Sequence, residues 1–484
     1  MKIEHQKTVE ILKWFEAISQ VPRGSKKEER IAQWLLDWAK EHGFNACKDE
    51  ALNVRINVPA SKGYENSPGV IIQGHLDMVC EKTPDSPHDF DKDPIRLVYD
   101  GEWLRADRTT LGADNGIAIA YGLTAALDKN LKHPALELLF TSDEETGLTG
   151  AGALKPGFVK GTRLLNIDTE KDGVFTVGCA GGMSATHTIP VQFENPPEGY
   201  VPLTIEVGGL AGGHSADILD EKANALKLMA RTLQALIESF DIYLAFLKGG
   251  SADNAIPRDS ITVVFLDKSN IKKAKEIASS LEKVLRDEFK HSDKELKITL
   301  REGSDETYSE AVSETDTWEI IRVFRAIPHG VYAMSREIKN FVETSNNFAN
   351  AVLKNNLLKI ITSQRSPIPS RLEDVGCHIS SVIKLAGGMS EFSDGYPGWN
   401  ANMESPLLKK CVEVYEKLRG EKPIVETTHG GLECGLINNK YPSMDLISFG
   451  PTINNPHSPD EEIHIPSIGK VWDFLAALLE SLKD

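Results

Sequence analysis

The sequence predicts an α/β fold: a catalytic domain with a mostly parallel central sheet, plus an inserted α+β domain. Two observations predict it. Short apolar strands alternate with helices up to about residue 186, which suits a sheet covered on both faces. That pattern gives way to a different one and then returns after Gly395, Pro397 and Gly398. A chain of 484 residues is also too long for one simple core.

The elements follow in order. Glu28 to His42 reads as a helix, with Ile31, Trp34, Leu35 and Trp38 at helical spacing. Val70-Ile71-Ile72 is a strand ending at Gly74. Gly116 to Ala126 is helical, and Leu136 to Phe140 and Leu164 to Ile167 are buried strands. The middle region reads as strand Leu203 to Val207, helix Lys222 to Phe240, strand Ile261 to Leu266, helix Ile271 to Phe289 and strand Leu296 to Leu300. Thr317 to Ala326, Phe341 to Leu353, Leu357 to Thr362 and Pro369 to Leu385 continue the helix–strand alternation, as two copies of one α+β unit would. A helix at Leu407 to Leu418 and a strand near Met444 to Ser448 restore the first style. The expected division is a catalytic domain of residues 1–186 and 398–484, and an inserted domain of residues 187–397. Its hinges fall in the Pro- and Gly-rich stretches Ile189 to Val201 and Gly387 to Trp399.

Charge and composition exclude several classes. With 71 Asp and Glu against 54 Lys and Arg, the net charge near -17 argues against nucleic acid and an anionic membrane surface. Cysteines at 47, 80, 179, 377, 411 and 434 fit neither a disulfide framework nor a CxxC zinc site, so reduced thiols are expected. The amphipathic N-terminus places Trp14, Phe15 and Ile18 on one helical face and has no signal-peptide core. No stretch approaches a membrane span. A cytoplasmic location is the expectation.

Polar residues interrupt the strands at their ends. His75 and Asp77 stand two apart, so an extended backbone puts them on one face. A metal-bound histidine needs its second nitrogen held by an acceptor, often a carboxylate. Asp114 sits among glycines in Leu111-Gly-Ala-Asp-Asn-Gly. Glu144 and Glu145 follow one strand, Asp168 ends another, and His457 lies in a late loop. Each alone has an ordinary reading: a structural histidine, a turn aspartate, a helix-start pair favoured by the helix dipole, a surface loop. The ordered set differs because most members fall just after strands, where open α/β sheets carry sites.

Five such ligands suit two metal ions sharing one carboxylate. Imidazole with carboxylate favours zinc, with cobalt or manganese also compatible. Bridged metals activate a water and polarise a carbonyl, and a free carboxylate must take the water's proton. The pair Glu144-Glu145 supplies one ligand and one base.

The segments Gln73-Gly-His-Leu-Asp-Met-Val, Thr110-Leu-Gly-Ala-Asp-Asn-Gly, Asp143-Glu-Glu-Thr-Gly and Asn166-Ile-Asp, with Gly212-Gly-His-Ser, Asn254-Ala-Ile-Pro, His429-Gly-Gly-Leu-Glu-Cys-Gly and Pro456-His-Ser-Pro-Asp-Glu, span nearly the whole chain. Together they resemble the co-catalytic dizinc exopeptidases, which include carnosinases, aminoacylases and peptidase T. The resemblance implies a phosphorylase/hydrolase-like catalytic domain and an inserted lid domain. It implies that Asp114 bridges the ions, that His75 and Asp168 complete one site, and that Glu145 and His457 complete the other. Asp77 would orient His75, and Glu144 would be the general base. A cis peptide is implied after Asp114.

In the inserted region His214 would stabilise the oxyanion, and Asn254 and Arg365 would hold substrate polar groups. Arg365 would take a terminal carboxylate, since its planar fork binds carboxylates in bidentate fashion. A surface arginine is the ordinary alternative. Glu433 is the candidate for the substrate ammonium group. The implied activity is hydrolysis of dipeptides with a free N-terminus, Xaa-His peptides such as carnosine included. Small peptides are the expected partners, in a homodimer. An N-acyl amino acid amidohydrolase or a broader aminopeptidase could use the same metals. A nucleotide-binding oxidoreductase is excluded because no GxGxxG follows a first strand, and a serine hydrolase because there is no GxSxG elbow.

Overall fold

The computed structural model describes residues 3–336, 338 and 341–483. It divides the chain into two units. The first comprises residues up to Cys179, then Trp399–Thr427 and Leu432 onward. The second comprises Ala180–Gly398 and Thr428–Gly431.

In the first unit the sheet runs Asn45–Lys48, Val54–Val58, Leu136–Thr141, Val70–His75, Arg163–Asn166, Asp445–Ser448, Val174–Cys179, Ile424–Thr428. Its centre is parallel: Val70–His75 pairs in parallel with Leu136–Thr141 and Arg163–Asn166, and the latter with Asp445–Ser448. The two-residue alternation of a strand sends neighbouring side chains to opposite faces. Val70, Ile72, Leu138, Phe140, Leu165 and Ile447 join one core, with helices Gln6–Ser19, Ala113–Leu127 and Ile465–Ser481. Ile71, Leu139, Leu164 and Leu446 join the other, under helix Glu433–Lys440. Apolar runs without polar alternation are what burial on both faces requires. Phe15 and Ile18 are buried in the first of these cores, as their helical spacing predicts.

The second unit is built on an antiparallel sheet with helices Ala225–Ile237, Ile271–Glu288, Glu314–Ala326 and Pro369–Leu385 in its main core. Its chain order reveals a repeat. One copy runs strand Tyr200–Gly208, helix Ala225–Ile237, strands Ile242–Gly249 and Ser260–Asp267, helix Ile271–Glu288, strand Lys297–Glu302. The other runs strand Gly181–Pro190, helix Glu314–Ala326, strands Val342–Lys354 and Leu357–Ser366, helix Pro369–Leu385, strand Met389–Phe392. Both are β-α-β-β-α-β units. The first copy is inserted into the second, and the two join where Leu247, Lys248 and Gly249 pair with Leu353, Val352 and Ala351. The two copies read from the sequence are therefore present as topology.

The dividing points differ from those read in the sequence. Strand Gly181–Pro190 runs through the expected 186/187 boundary and pairs along its length with Leu357–Ser366, so the chain enters the second unit at Ala180. Strand Ile242–Gly249 escapes the sequence reading because its apolar run follows a helix and lacks alternation. The six cysteines are free. Among the described residues, no helix is long and apolar enough to cross a membrane.

Candidate metal centre

The carboxyl ends of the parallel strands gather the candidate ligands, the usual place for a site in an open α/β sheet. His75 is the last residue of Val70–His75, Glu145 follows Leu136–Thr141, and Asp168 follows Arg163–Asn166. His457 comes from the loop beyond Asp445–Ser448, and Asp114 from the start of helix Ala113–Leu127. Asp143 and His457 adopt left-handed backbone, with φ of 48° and 60°, and each turns the chain at a ligand.

The five come together around Asp114. Its Oδ1 lies 3.0 Å from His75 Nε2 and its Oδ2 lies 3.2 Å from His457 Nε2. His75 Nε2 is 3.8 Å from Asp168 Oδ1, and His457 Nε2 is 3.0 Å from Glu145 Oε2. One oxygen of Asp114 thus faces the His75–Asp168 pair and the other faces the Glu145–His457 pair. His75, Asp114 and Glu145 each offer a ligand atom within 4.8 Å of the others. Glu145 Oε1 is buried without a hydrogen-bond partner. This donor set fits a pair of divalent cations.

Asp77 is buried and holds the centre from below. Its carboxylate lies 3.3 Å from His75 Nδ1 and accepts hydrogen bonds from the Glu144 and Glu145 N–H groups and the Ser25 hydroxyl. Burial would raise its pKa, but the His75 contact and these donors hold it at about 2. The charges around it are set by crowding. Burial and neighbouring carboxylates push Asp168 up to about 7 and Glu144 well above the usual range. His457 is raised to about 11 by its contacts with Asp114 and Glu145. Carboxylates that repel one another and histidines drawn toward protonation mark a place where positive charge is wanted.

The peptide between Asp114 and Asn115 is cis. The Asn115 amide donates to Ile167 O at 2.6 Å and to Asp168 Oδ1 at 2.5 Å, and its oxygen accepts the His75 N–H at 3.2 Å. A Cβ on Gly74 would lie 2.2 Å from that oxygen, so only glycine admits this contact.

In the second unit the structure brings His214, Asn254 and Arg365 together through Ser215. The Ser215 N–H donates to Asn254 O at 2.8 Å, and Arg365 Nε donates to the Ser215 hydroxyl at 3.1 Å. His214 is exposed, and its Nδ1 accepts the Ala216 N–H at 3.2 Å. The neutral ring therefore carries its proton on Nε2. Arg365 is 6% exposed and also donates to the Tyr396 hydroxyl at 3.0 Å, so the surface-arginine reading does not hold.

Glu433 lies in the first unit at 0% exposure. Its Oε2 accepts from Gln73 at 2.7 Å and Thr141 at 2.6 Å, and its Oε1 has no hydrogen-bond partner. Burial pushes its carboxyl up to about 8.

Residues 71–481 match the model of Peptidase family M20/M25/M40. The chain belongs to this family. The cytosol non-specific dipeptidase of Escherichia coli strain K12 is 38% identical over 469 residues, 97% of this chain and 96% of that one. The crystal structure of aminoacylhistidine dipeptidase from Vibrio alginolyticus is similar at a TM-score of 0.88 and 39% identity, over 97% of this chain and 96% of that one. The aminopeptidase PepT of Bacillus cereus shares the fold, with a TM-score of 0.58 at 15% identity over 99% of both chains.

Several residues of this M20 chain escape the sequence reading. Asn115 stands beside a candidate ligand and was given no side-chain role. Arg23 and Glu461 grip the backbone around Asp114, far from it in sequence. Glu170 is raised to about 8, by burial first and then by Asp114 and Asp168. The available signal was the glycine-rich run before Asp114, whose N–H groups need acceptors from elsewhere.

Proposed function

We propose that this M20 chain is a cytoplasmic, homodimeric metallodipeptidase. It hydrolyses dipeptides with a free N-terminus, Xaa-His peptides such as carnosine among them, using two Zn2+ ions, with Co2+ or Mn2+ as alternatives. The observation that carries this reading is 38% identity to a dipeptidase along 97% of the chain. The clustered donors around Asp114 support it.

Asp114 would be shared by the two ions, with His75 and Asp168 holding one and Glu145 and His457 the other. Divalent ions held there would supply Lewis acidity for the attacking water and the scissile carbonyl. Glu144 takes the water's proton and delivers it to the leaving amine, a role suited by its raised affinity for protons. Asp77 fixes the His75 ring. His214 donates Nε2–H to the developing oxyanion, with Asn254 holding nearby substrate polar groups. Arg365 pairs with the terminal carboxylate. Glu433 Oε1 receives the substrate ammonium.

Recognition of both termini selects dipeptides: a substrate that leaves Arg365 without a carboxylate strands a buried charge, at a cost of roughly 3–5 kcal/mol, and an N-acetyl dipeptide lacks the ammonium that would hold Glu433, otherwise raised to about 8, in its charged form. The kcat/KM of a dipeptide is therefore expected to exceed that of its N-acetyl form and of the matching tripeptide by about 100-fold or more. Comparable rates on all three would move the assignment to an acylase or a broader aminopeptidase.

Truncating His214 to alanine should cost about 10²–10³ in turnover with both ions retained, as loss of an oxyanion donor does. In a homodimer where each site borrows the partner's histidine, mixing His214→Ala with inactive Glu144→Gln protomers restores part of the activity. Unchanged kinetics in His214→Ala would remove the role, and absence of complementation would place the histidine in its own subunit.

A further inference from the structure

Two charged side chains outside the ligand set hold the backbone of the Asp114 loop from opposite sides. Glu461 lies on the same loop as His457 and is 2% exposed. Its Oε2 accepts the N–H groups of Leu111 at 2.7 Å and Gly112 at 2.9 Å. Its Oε1 accepts those of Ala113 at 2.8 Å and Asp114 at 3.2 Å. Four successive donors converge on one carboxylate, the anion-binding concavity that a helix start and its preceding turn create.

Arg23, 3% exposed, works on the carbonyl side. Its Nη1 donates to Leu76 O at 2.9 Å and Asp77 O at 2.7 Å, and its Nη2 donates to Gly112 O. The loop at Gly112 therefore gives an N–H to Glu461 and a carbonyl to Arg23. Gly112 has φ of +70°, and a Cβ there would lie 2.6 Å from Arg23 Nη2. Any other residue would displace the arginine.

We infer that Glu461 and Arg23 are positioning residues that set the spacing of the two metal positions and so the affinity for the second ion. Arg23 ties the Asp114 loop to the segment of His75 and Asp77. Glu461 ties it to the loop of His457. Neither side chain needs to touch an ion, because each holds backbone. The His457 side is the looser one, since its side chain is 53% exposed and its ring contacts run to Asp114 and Glu145. Releasing Glu461 frees that loop first. The inference rests on the two-metal reading.

The test uses Glu461→Gln. Glutamine keeps the volume, but its single oxygen cannot serve four donors and its NH2 faces N–H groups. Metal-free wild type and variant are titrated with Zn2+ by calorimetry, and their melting temperatures are recorded with and without Zn2+. Wild type should bind two ions per chain. The variant should bind its first ion within a few-fold of wild type and its second about 10–100-fold more weakly, as loss of support around a ligand does. Excess Zn2+ should restore its turnover with KM little changed, which a merely structural lesion would not allow. Arg23→Lys, where one ammonium replaces a fork serving three carbonyls, gives a second variant should glutamine prevent folding. Wild-type Zn2+ affinities in both variants overturn the clamp while leaving the metal reading intact. A wild type that binds no Zn2+ overturns both.

Discussion

Chelation abolishes hydrolysis and Zn2+, Co2+ or Mn2+ restores it: this is the result expected of a centre whose five donors converge as they do here. Asp114 faces His75 with one oxygen at 3.0 Å and His457 with the other at 3.2 Å, the arrangement expected of the shared ligand proposed above. Asp114→Ala removes a shared ligand, and both ions should be lost together with all measurable turnover. The uncompensated carboxylates argue the same way. Asp168 at about 7 and Glu144 above its usual range are the consequence of burying like charges side by side, and bound cations relieve it. The measurement is metal content by atomic emission alongside turnover before and after chelator dialysis. Full activity in metal-free protein would reject the two-ion centre.

Glu144→Gln is the second large effect. Loss of a general acid–base group costs about 10²–10⁴ in turnover. Glutamine preserves size and hydrogen bonding, and the Glu144 N–H still reaches Asp77 at 3.0 Å, so the turn carrying Glu145 should persist. The variant should therefore bind two ions and substrate with little change in KM. The raised proton affinity of Glu144 also carries a sign. A base must be deprotonated to act, so turnover should fall as pH drops through the pKa that Glu144 keeps with the ions bound, and this acidic limb should vanish in the glutamine variant. Near-normal turnover with two ions bound would assign the base elsewhere.

These predictions rest on different kinds of legibility. The candidate ligand positions were readable because polar residues interrupt apolar strands at their carboxyl ends: His75 after Ile71-Ile72, Asp168 after Leu164-Leu165. Short strands buried on both faces carry a continuous apolar run, and a polar break in such a run is conspicuous. Glu433 was readable as a candidate but not as a residue at 0% exposure under Gln73 and Thr141, because burial depends on which strands become neighbours. Arg365 has both a surface and a site reading in the sequence, and its contacts with Ser215 and Tyr396 decide that it is buried.

The sequence by itself determined the class of fold, the existence of an inserted α+β region and the identities of the ordered ligand candidates. Those follow from local pattern, since strand and helix periods and strand-end positions are properties of contiguous residues. Only the tertiary structure decided that the inserted region is one β-α-β-β-α-β unit nested in another. That nesting pairs Ile242–Gly249 with Val342–Lys354, segments with no local signal of their partnership. It alone decided that Asp114 stands between two histidines, and that Arg23 and Glu461 close on one glycine. Those contacts join residues hundreds of positions apart, and the packing of the sheet, not the pattern of any one segment, brings them within hydrogen-bond distance.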